Sequence, residues 1–227
     1  MTLDKRYYIL VGNYGSGKTE LALSLARDLR RRRAGRVALV DLDIVNPYFR
    51  SAEKKALLER EGVEVLMPSF AMTTVDIPAL PAQIASVFED DYAAVVIDVG
   101  GDDTGAVALG GYAHFIDSRR AETAVWYVVN PYRPLSADAA AIQEMYALIA
   151  QRARVTPDVL VNNANLQTQT TVDCLLEGEQ VLREVSQALH VPLGPCVGEE
   201  KLRALLPPDM QARFYPITPL MRPEWLE

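Results

Sequence analysis

The chain has 227 residues, 49% hydrophobic and 23% charged, with a net charge of −7. That length buries a full core without staples, and the acidic balance excludes the basic surface that general nucleic-acid binding needs and argues against anionic membranes. Cys174 and Cys196 form neither a disulfide framework nor a C-x-x-C pair, so they read as reduced structural thiols.

From the N-terminus, Lys5 and Arg6 precede an apolar run at 7–11 that glycines and Lys18 cut short of a signal peptide. No apolar run approaches a membrane span, and the expected location is the cytoplasm. Strands are expected at 7–11, 37–42, 63–67, 92–99, 123–129, 159–161 and 191–197. Helices are expected between them at 18–33, 51–60, 79–88, 104–116, 136–152 and 171–189, with Ser136 and Thr171 as N-caps. The segment 68–81, with three prolines, reads as a loop at the sheet edge, and 207–227 as surface packing. Near-continuous apolar runs such as ILVG and AAVVIDV are those of parallel strands covered on both faces. The expectation is a single α/β domain over 1–227: a three-layer sandwich with a mostly parallel sheet of about seven strands. Its ligands would gather at the carboxyl ends of the strands.

The first expected strand runs directly into Gly12, Asn13, Tyr14, Gly15, Ser16, Gly17, Lys18 and Thr19, which satisfy G-x-x-x-x-G-K-[ST] in full. A helix-forming run begins at Glu20. Glycines let such a loop wrap a phosphate with its N–H groups, and the helix start adds a favourable field. Lys18 would reach the β/γ-phosphates and Thr19 would ligate Mg²⁺. Asp98 ends the run VVIDVGG, where it can hold metal ahead of a D-x-x-G loop whose Gly101 N–H senses a γ-phosphate. Asp41 and Asp43 end the run LVDLD, and their spacing places both carboxylates on one side of an extended strand. The blander reading of a strand-end aspartate is a turn former or helix cap.

P-loop, D-x-D and D-x-G-G together resemble the SIMIBI class of P-loop NTPases, and DLDI is similar to the D-x-D segment of the MinD/ParA branch. The resemblance implies the P-loop NTPase fold, with Asp43 orienting an attacking water and Asp41 and Asp98 holding Mg²⁺ directly or through waters. It also makes a homodimer common. The MinD/ParA branch carries a lysine after the first P-loop glycine that reaches across a dimer; here that residue is Asn13, which cannot play that part. The metal-binding Cys and His motifs of the class's nickel-insertion GTPases are missing, and His114 and His190 are isolated.

VLVNNANL ends a later strand with Asn162, Asn163 and Asn165. Guanine-specific P-loop proteins place the aspartate of N-K-x-D here, and the neutral Asn165 cannot accept two bonds from guanine as a carboxylate does. By resemblance to SIMIBI ATPases, Asn162 would contact adenine, with Asn163 beside it; the alternative is a simple asparagine turn. The six arginines of 27–36 read as a solvated helix end, Trp126 and Tyr127 as core, Asp102 and Asp103 as an extension of the mobile loop or as indirect metal ligands, and Arg50 as a charge near the γ-phosphate. The expected function is a Mg²⁺-dependent ATPase that switches a protein partner. The alternatives are a small-molecule kinase, with an acceptor pocket from 68–81 and 102–111, and a non-catalytic nucleotide-binding module.

Overall fold

The computed structural model describes residues 3–43, 51–67 and 82–220. Its strands are β1 (Tyr7–Val11), β2 (Arg36–Leu42), β3 (Val63–Leu66), β4 (Tyr92–Val99), β5 (Thr123–Val129), β6 (Val159–Asn162), β7 (Leu193–Gly198) and β8 (Phe214–Pro216). They form one sheet in the order β3-β2-β4-β1-β5-β6-β7-β8, and each pairing is parallel. The helices are α1 (Lys18–Arg32), α2 (Ser51–Arg60), α3 (Ala82–Ala85), α4 (Asp103–Gly110), α5 (Ala113–Ser118), α6 (Ala139–Ala153), α7 (Val172–Leu189), α8 (Glu200–Arg203) and α9 (Pro208–Ala212).

The period of two along each strand sorts side chains to two apolar layers. Tyr8 and Leu10 of β1 pack with Leu39, Val96 and the α1 residues Leu21, Leu25 and Leu29. Tyr7, Ile9 and Val11 face the opposite layer, with Leu109 of α4, Ile142 of α6 and Leu182 of α7. Because α1 leaves β1 toward one face and α4 leaves the adjacent β4 toward the other, a crevice opens above the ends of these two strands. That is where open α/β sheets bind ligands.

The three-layer architecture matches the expectation, and among the described residues the sheet has eight strands rather than about seven. The stretch expected to be surface packing contains α9 and β8, which pairs through Cys196 with Phe214. A three-residue strand ending in proline is too short to show alternation, and proline is tolerated there because the strand is at an edge. The helix expected at 104–116 breaks at Gly110–Gly111 into α4 and α5. A Cβ at Gly110 would stand 2.8 Å from the Arg152 carbonyl oxygen, so α4 ends tight against α6. Helix α6 starts after Asp138, whose carboxylate accepts from Ala141 N–H, while Ser136 is buried and caps nothing. Thr171 stands at the N-cap of α7, but its hydroxyl lies 3.5 Å from Cys174 Sγ and makes no cap bond. Of 79–88, residues 82–88 are helical; the loop 68–81 and Arg50 lie outside the described residues.

The arginine-rich stretch behaves as a helix end. Arg27 makes a bidentate pair with Glu61, Arg32 pairs with Asp28, and Arg33 donates to the Leu3 and Ala93 carbonyls. Trp126 and Tyr127 are core, and Cys174 and Cys196 are buried free thiols. Among the described residues no helix is long and apolar enough to cross a membrane.

One charge is buried away from the crevice. Glu179 on α7 pairs with Arg213 just before β8 and with Arg183 at 3.3 Å, and Asn162 Nδ2 approaches it at 3.4 Å. Removing one partner of a buried pair strands the other. Arg213→Ala, which takes the nearer cation from the buried Glu179 carboxylate, should therefore lower the unfolding free energy by roughly 3 kcal/mol, read as a lower urea midpoint at unchanged slope. An unchanged midpoint would show that this pair does not hold the β7–β8 edge.

Candidate functional site

The loop after β1 is built on glycine. Gly12, Gly15 and Gly17 take φ of 147°, 73° and 87°, conformations that side chains resist. A Cβ at Gly12 would stand 2.3 Å from the Val128 carbonyl oxygen, and one at Gly17 2.3 Å from Asn163 Nδ2. Gly17 is the N-cap of α1 and no side chain caps it. An uncapped start to a long helix carries donors and partial positive charge suited to an anion. Lys18 is buried at this start, and its Nζ donates to the Asn13 carbonyl at 2.9 Å and lies 3.5 Å from Ser16 Oγ. Burial pushes its pKa down, and Asp98, Asp43 and Asp102 act to raise it.

Asp41 and Asp98 are cross-strand partners at the ends of β2 and β4. The alternation that turns Leu39 and Val96 toward α1 turns both carboxylates the same way, and both are buried. Asp41 Oδ1 accepts from Asp43 N–H at 2.9 Å. Thr19 stands beside Asp98 and acts to lower its pKa, yet Asp98 Oδ1 is buried without a hydrogen-bond partner. Burial pushes Asp98 up to about 6 against the opposing pull of Lys18 and Thr19, with the Asp43 charge adding to the rise. A buried carboxylate oxygen without a partner, a second carboxylate beside it and a hydroxyl at the helix start form an oxygen donor set that fits Mg²⁺. Among the described residues no three His, Cys, Asp or Glu side chains form a ready cage, as suits an ion that completes its shell with water and phosphate.

Gly101 crosses over the loop so closely that a Cβ would stand 2.6 Å from Tyr14 N and Cα. Asp102 is the N-cap of α4 and accepts from Gly105 N–H at 2.9 Å, so a helix start accounts for it. The Glu20 carboxylate accepts from Leu220 N–H, tying the end of the described chain to the first turn of α1.

The outer wall of the loop is held by side chains from β5 and β6. Asn13 is turned inward; its Nδ2 donates to Ser136 Oγ at 3.2 Å and its Oδ1 accepts from Tyr14 N–H at 2.7 Å. Arg133 Nε donates to the Gly15 carbonyl at 3.0 Å, and Asn163 Nδ2 to the Ser16 carbonyl at 2.6 Å. Asn130, fully buried at the end of β5, donates to the Asn165 carbonyl and accepts from Asn165 N–H and Tyr132 N–H.

The structure thus brings together the loop 12–19, Asp41, Asp43, Asp98, Gly101 and Asn163. It does not place Asn162 with them. That amide is fully buried, donates to the Leu175 carbonyl at 2.9 Å and accepts from Ala164 N–H at 3.1 Å, so it faces α7 and not a base. Asn130 and Arg133 escape the sequence, and Ser136 is legible there only as a helix cap; their one signal is a proline-flanked polar turn after a strand, whose neighbour in the sheet is not readable from sequence. His114 and His190 are both exposed, the latter as the left-handed C-cap of α7.

In the metal-free protein a folded Asp98 with its pKa near 6 keeps a proton that the unfolded chain releases near 3.8. The folded state then binds more protons across that window, so its stability falls as pH rises from about 4 to about 6. Asp98→Asn should flatten that fall and raise the metal-free melting temperature at pH 7, by about 2–4 °C per kcal/mol recovered. It should also abolish any stabilisation by Mg²⁺ with nucleotide. A lower melting temperature at pH 7 would contradict the strain assigned to this carboxylate.

No family model and no curated protein matches the sequence. Solved structures match the fold. FtsY of Thermotoga maritima superposes with a TM-score of 0.53 at 18% identity over 85% of this chain and 63% of its own. FtsY of Mycoplasma mycoides gives 0.54 at 15% identity over 83% and 58%. A nucleotide-binding protein of Archaeoglobus fulgidus in complex with ADP gives 0.51 at 14% identity over 98% and 91%. This chain spans about three fifths of the length of the FtsY chains. At these identities the likeness is one of fold, and the fold is that of the P-loop NTPases.

Proposed function

We propose that this protein binds ATP with Mg²⁺, hydrolyses it, and acts as a nucleotide switch for a protein partner. The reading is carried by one observation: Asp41 and Asp98 are buried side by side next to Lys18 and Thr19, with an oxygen of Asp98 lacking a partner. Glycine-loop N–H groups bind the phosphates, and Lys18 exchanges the Asn13 carbonyl for the β/γ-phosphate oxygens. Mg²⁺, when bound by Thr19, Asp41 and Asp98, neutralises charge on the phosphates. Asp43 orients the attacking water, and Gly101, packed on Tyr14, brings the D-x-x-G loop to the γ-phosphate end. Adenine is favoured because residues 162–171 contain no carboxylate to read guanine. The ADP bound to the Archaeoglobus fulgidus protein, which this chain matches over nearly its whole length, supports the same choice. The MinD/ParA likeness of the D-x-D supports a switch, but Asn13 bonds inward to Ser136, so a homodimer would draw nothing from it.

A second reading is favoured by a cavity of about 280 Å³ beside the loop, lined by Asn13, Tyr14, Gly101, Ala106, Leu135 and Ile149 among others. It is the right place for the apolar body of a small phosphoryl acceptor, which would make the protein a kinase.

With Mg²⁺ and γ-labelled ATP, the label should appear as inorganic phosphate at a slow basal rate. Asp43→Asn should cut that rate by ~100-fold with ATP binding kept, and Lys18→Ala should remove ATP binding. Label on an organic acceptor would replace the switch by the kinase; ATP affinity unchanged in Lys18→Ala would overturn the phosphate loop itself.

A further inference from the structure

The crevice has two unlike ends. Toward β4 and β2 stand Asp98, Asp41 and Asp43, and the charges surrounding Lys18 are Asp98, Asp43 and Asp102. Metal and γ-phosphate belong there. On the other side of β1 come β5 and β6, whose carboxyl ends carry Arg133, Asn163 and Asn165. A triphosphate with its terminal group at the carboxylates therefore points its nucleoside toward β5 and β6.

Arg133 is held at that end by a rigid turn. The Ser136 N–H donates to the Arg133 carbonyl at 2.9 Å, Asn130 fixes the turn from inside the core, and Tyr132 hydrogen-bonds Glu177 on α7. The side chain lies along the phosphate loop. A Cβ at Gly15 would stand 3.2 Å from Arg133 Nε and 3.5 Å from both Cδ and Cζ, so the arginine runs directly against the glycine face of the loop. Its Nε bond to the Gly15 carbonyl is, among the described residues, the one polar contact of the side chain. Arg133 is exposed, so a planar cation is presented to solvent with its orientation already set by that bond. Guanidinium planes stack on aromatic rings, and a tethered one loses little freedom on doing so.

We propose that Arg133 is the nucleobase platform of this site, its guanidinium stacking on a purine and setting a preference for purine over pyrimidine nucleotides. The proposal rests on the nucleotide reading above and adds to it the residue that reads ring size. Stacking does not distinguish adenine from guanine; Arg133 accepts either.

The test titrates tripolyphosphate, ATP and CTP, each with Mg²⁺, into the wild type and into Arg133→Ala and Arg133→Lys by calorimetry. The wild type should bind ATP more tightly than CTP. Arg133→Ala should lose about 10- to 100-fold in ATP affinity, the range of one base stacked on one side chain, with a smaller loss for CTP and none for tripolyphosphate. Arg133→Lys, which keeps the charge but not the plane, should bind ATP as weakly as the alanine variant. Three results would overturn the platform: ATP affinity unchanged in Arg133→Ala, tripolyphosphate weakened in step with ATP, or full recovery in Arg133→Lys. The second would make Arg133 a brace of the Gly15 carbonyl or a phosphate contact, and the third a simple charge. A wild type that binds neither tripolyphosphate nor ATP would instead remove the nucleotide reading itself.

Discussion

Burying charge at the ends of β2 and β4 is the constraint on which the site depends. Each ion taken out of water is penalised by several kcal/mol unless it is paired. Here Asp41 and Asp98 are buried side by side at the strand ends, and the buried ammonium of Lys18 stands in the field of Asp98. Burial is what pushes Asp98 up to about 6; Lys18 and Thr19 pull the other way, and the Asp43 charge adds a smaller rise. The arrangement follows from the core. Once Val37 and Leu39 of β2 and Ala94 and Val96 of β4 face α1, a period of two delivers Asp41 and Asp98 to the same face one step later. The apolar alternation that builds the sheet thus also sets two carboxylates side by side at its end. A hard cation held by both carboxylates would relieve them, and an anion at the α1 start would supply further oxygen for it.

The glycine loop is equally dependent on what lies outside it. Glycine frees the backbone to take unusual conformations, but freedom alone does not select one. Selection comes from three long-range bonds: Asn13 to Ser136, Arg133 to Gly15 and Asn163 to Ser16. Asn163 directly follows β6, Arg133 and Ser136 lie in the turn that follows β5, and Asn130 fastens the end of β5 to the residues after β6. The loop is therefore as rigid as the order of the neighbouring strands makes it.

This explains which features could be read from the sequence. The strands, the loop and its sharp glycines, and the strand-end position of Asp98 are signalled within a few residues of themselves. Features set by contacts across the chain are not. Ser136 looks like a helix cap because serine at a helix start usually is one. Asp138 takes that role two residues later, and Ser136 is bonded to Asn13, 123 residues away. Asn162 and Asn163 are chemically identical neighbours, and strand parity alone decides which meets the loop. The side chain at the last position of β6 falls toward α7, and the next one turns to Ser16. An adenine contact from Asn162 is therefore not offered by this arrangement, and the Asn163 amide is engaged by the loop itself. The β8 edge, three residues long, is recognisable only once β7 is there to pair with it.

The resulting division of the crevice also bears on how its parts can vary. Carboxylates and the buried lysine lie on the β2 and β4 side, where a change of charge disturbs the balance of three buried ions at once. Arg133 and the asparagines lie on the β5 and β6 side, where contacts to the loop are made through neutral amides or through an exposed guanidinium. A substitution there shifts a single bond to one carbonyl, and water can take its place at the exposed one. The two sides of the crevice are therefore separable in this fold. The β2 and β4 side tolerates little change because its members are coupled through a low-dielectric interior, while the β5 and β6 side can be altered one contact at a time.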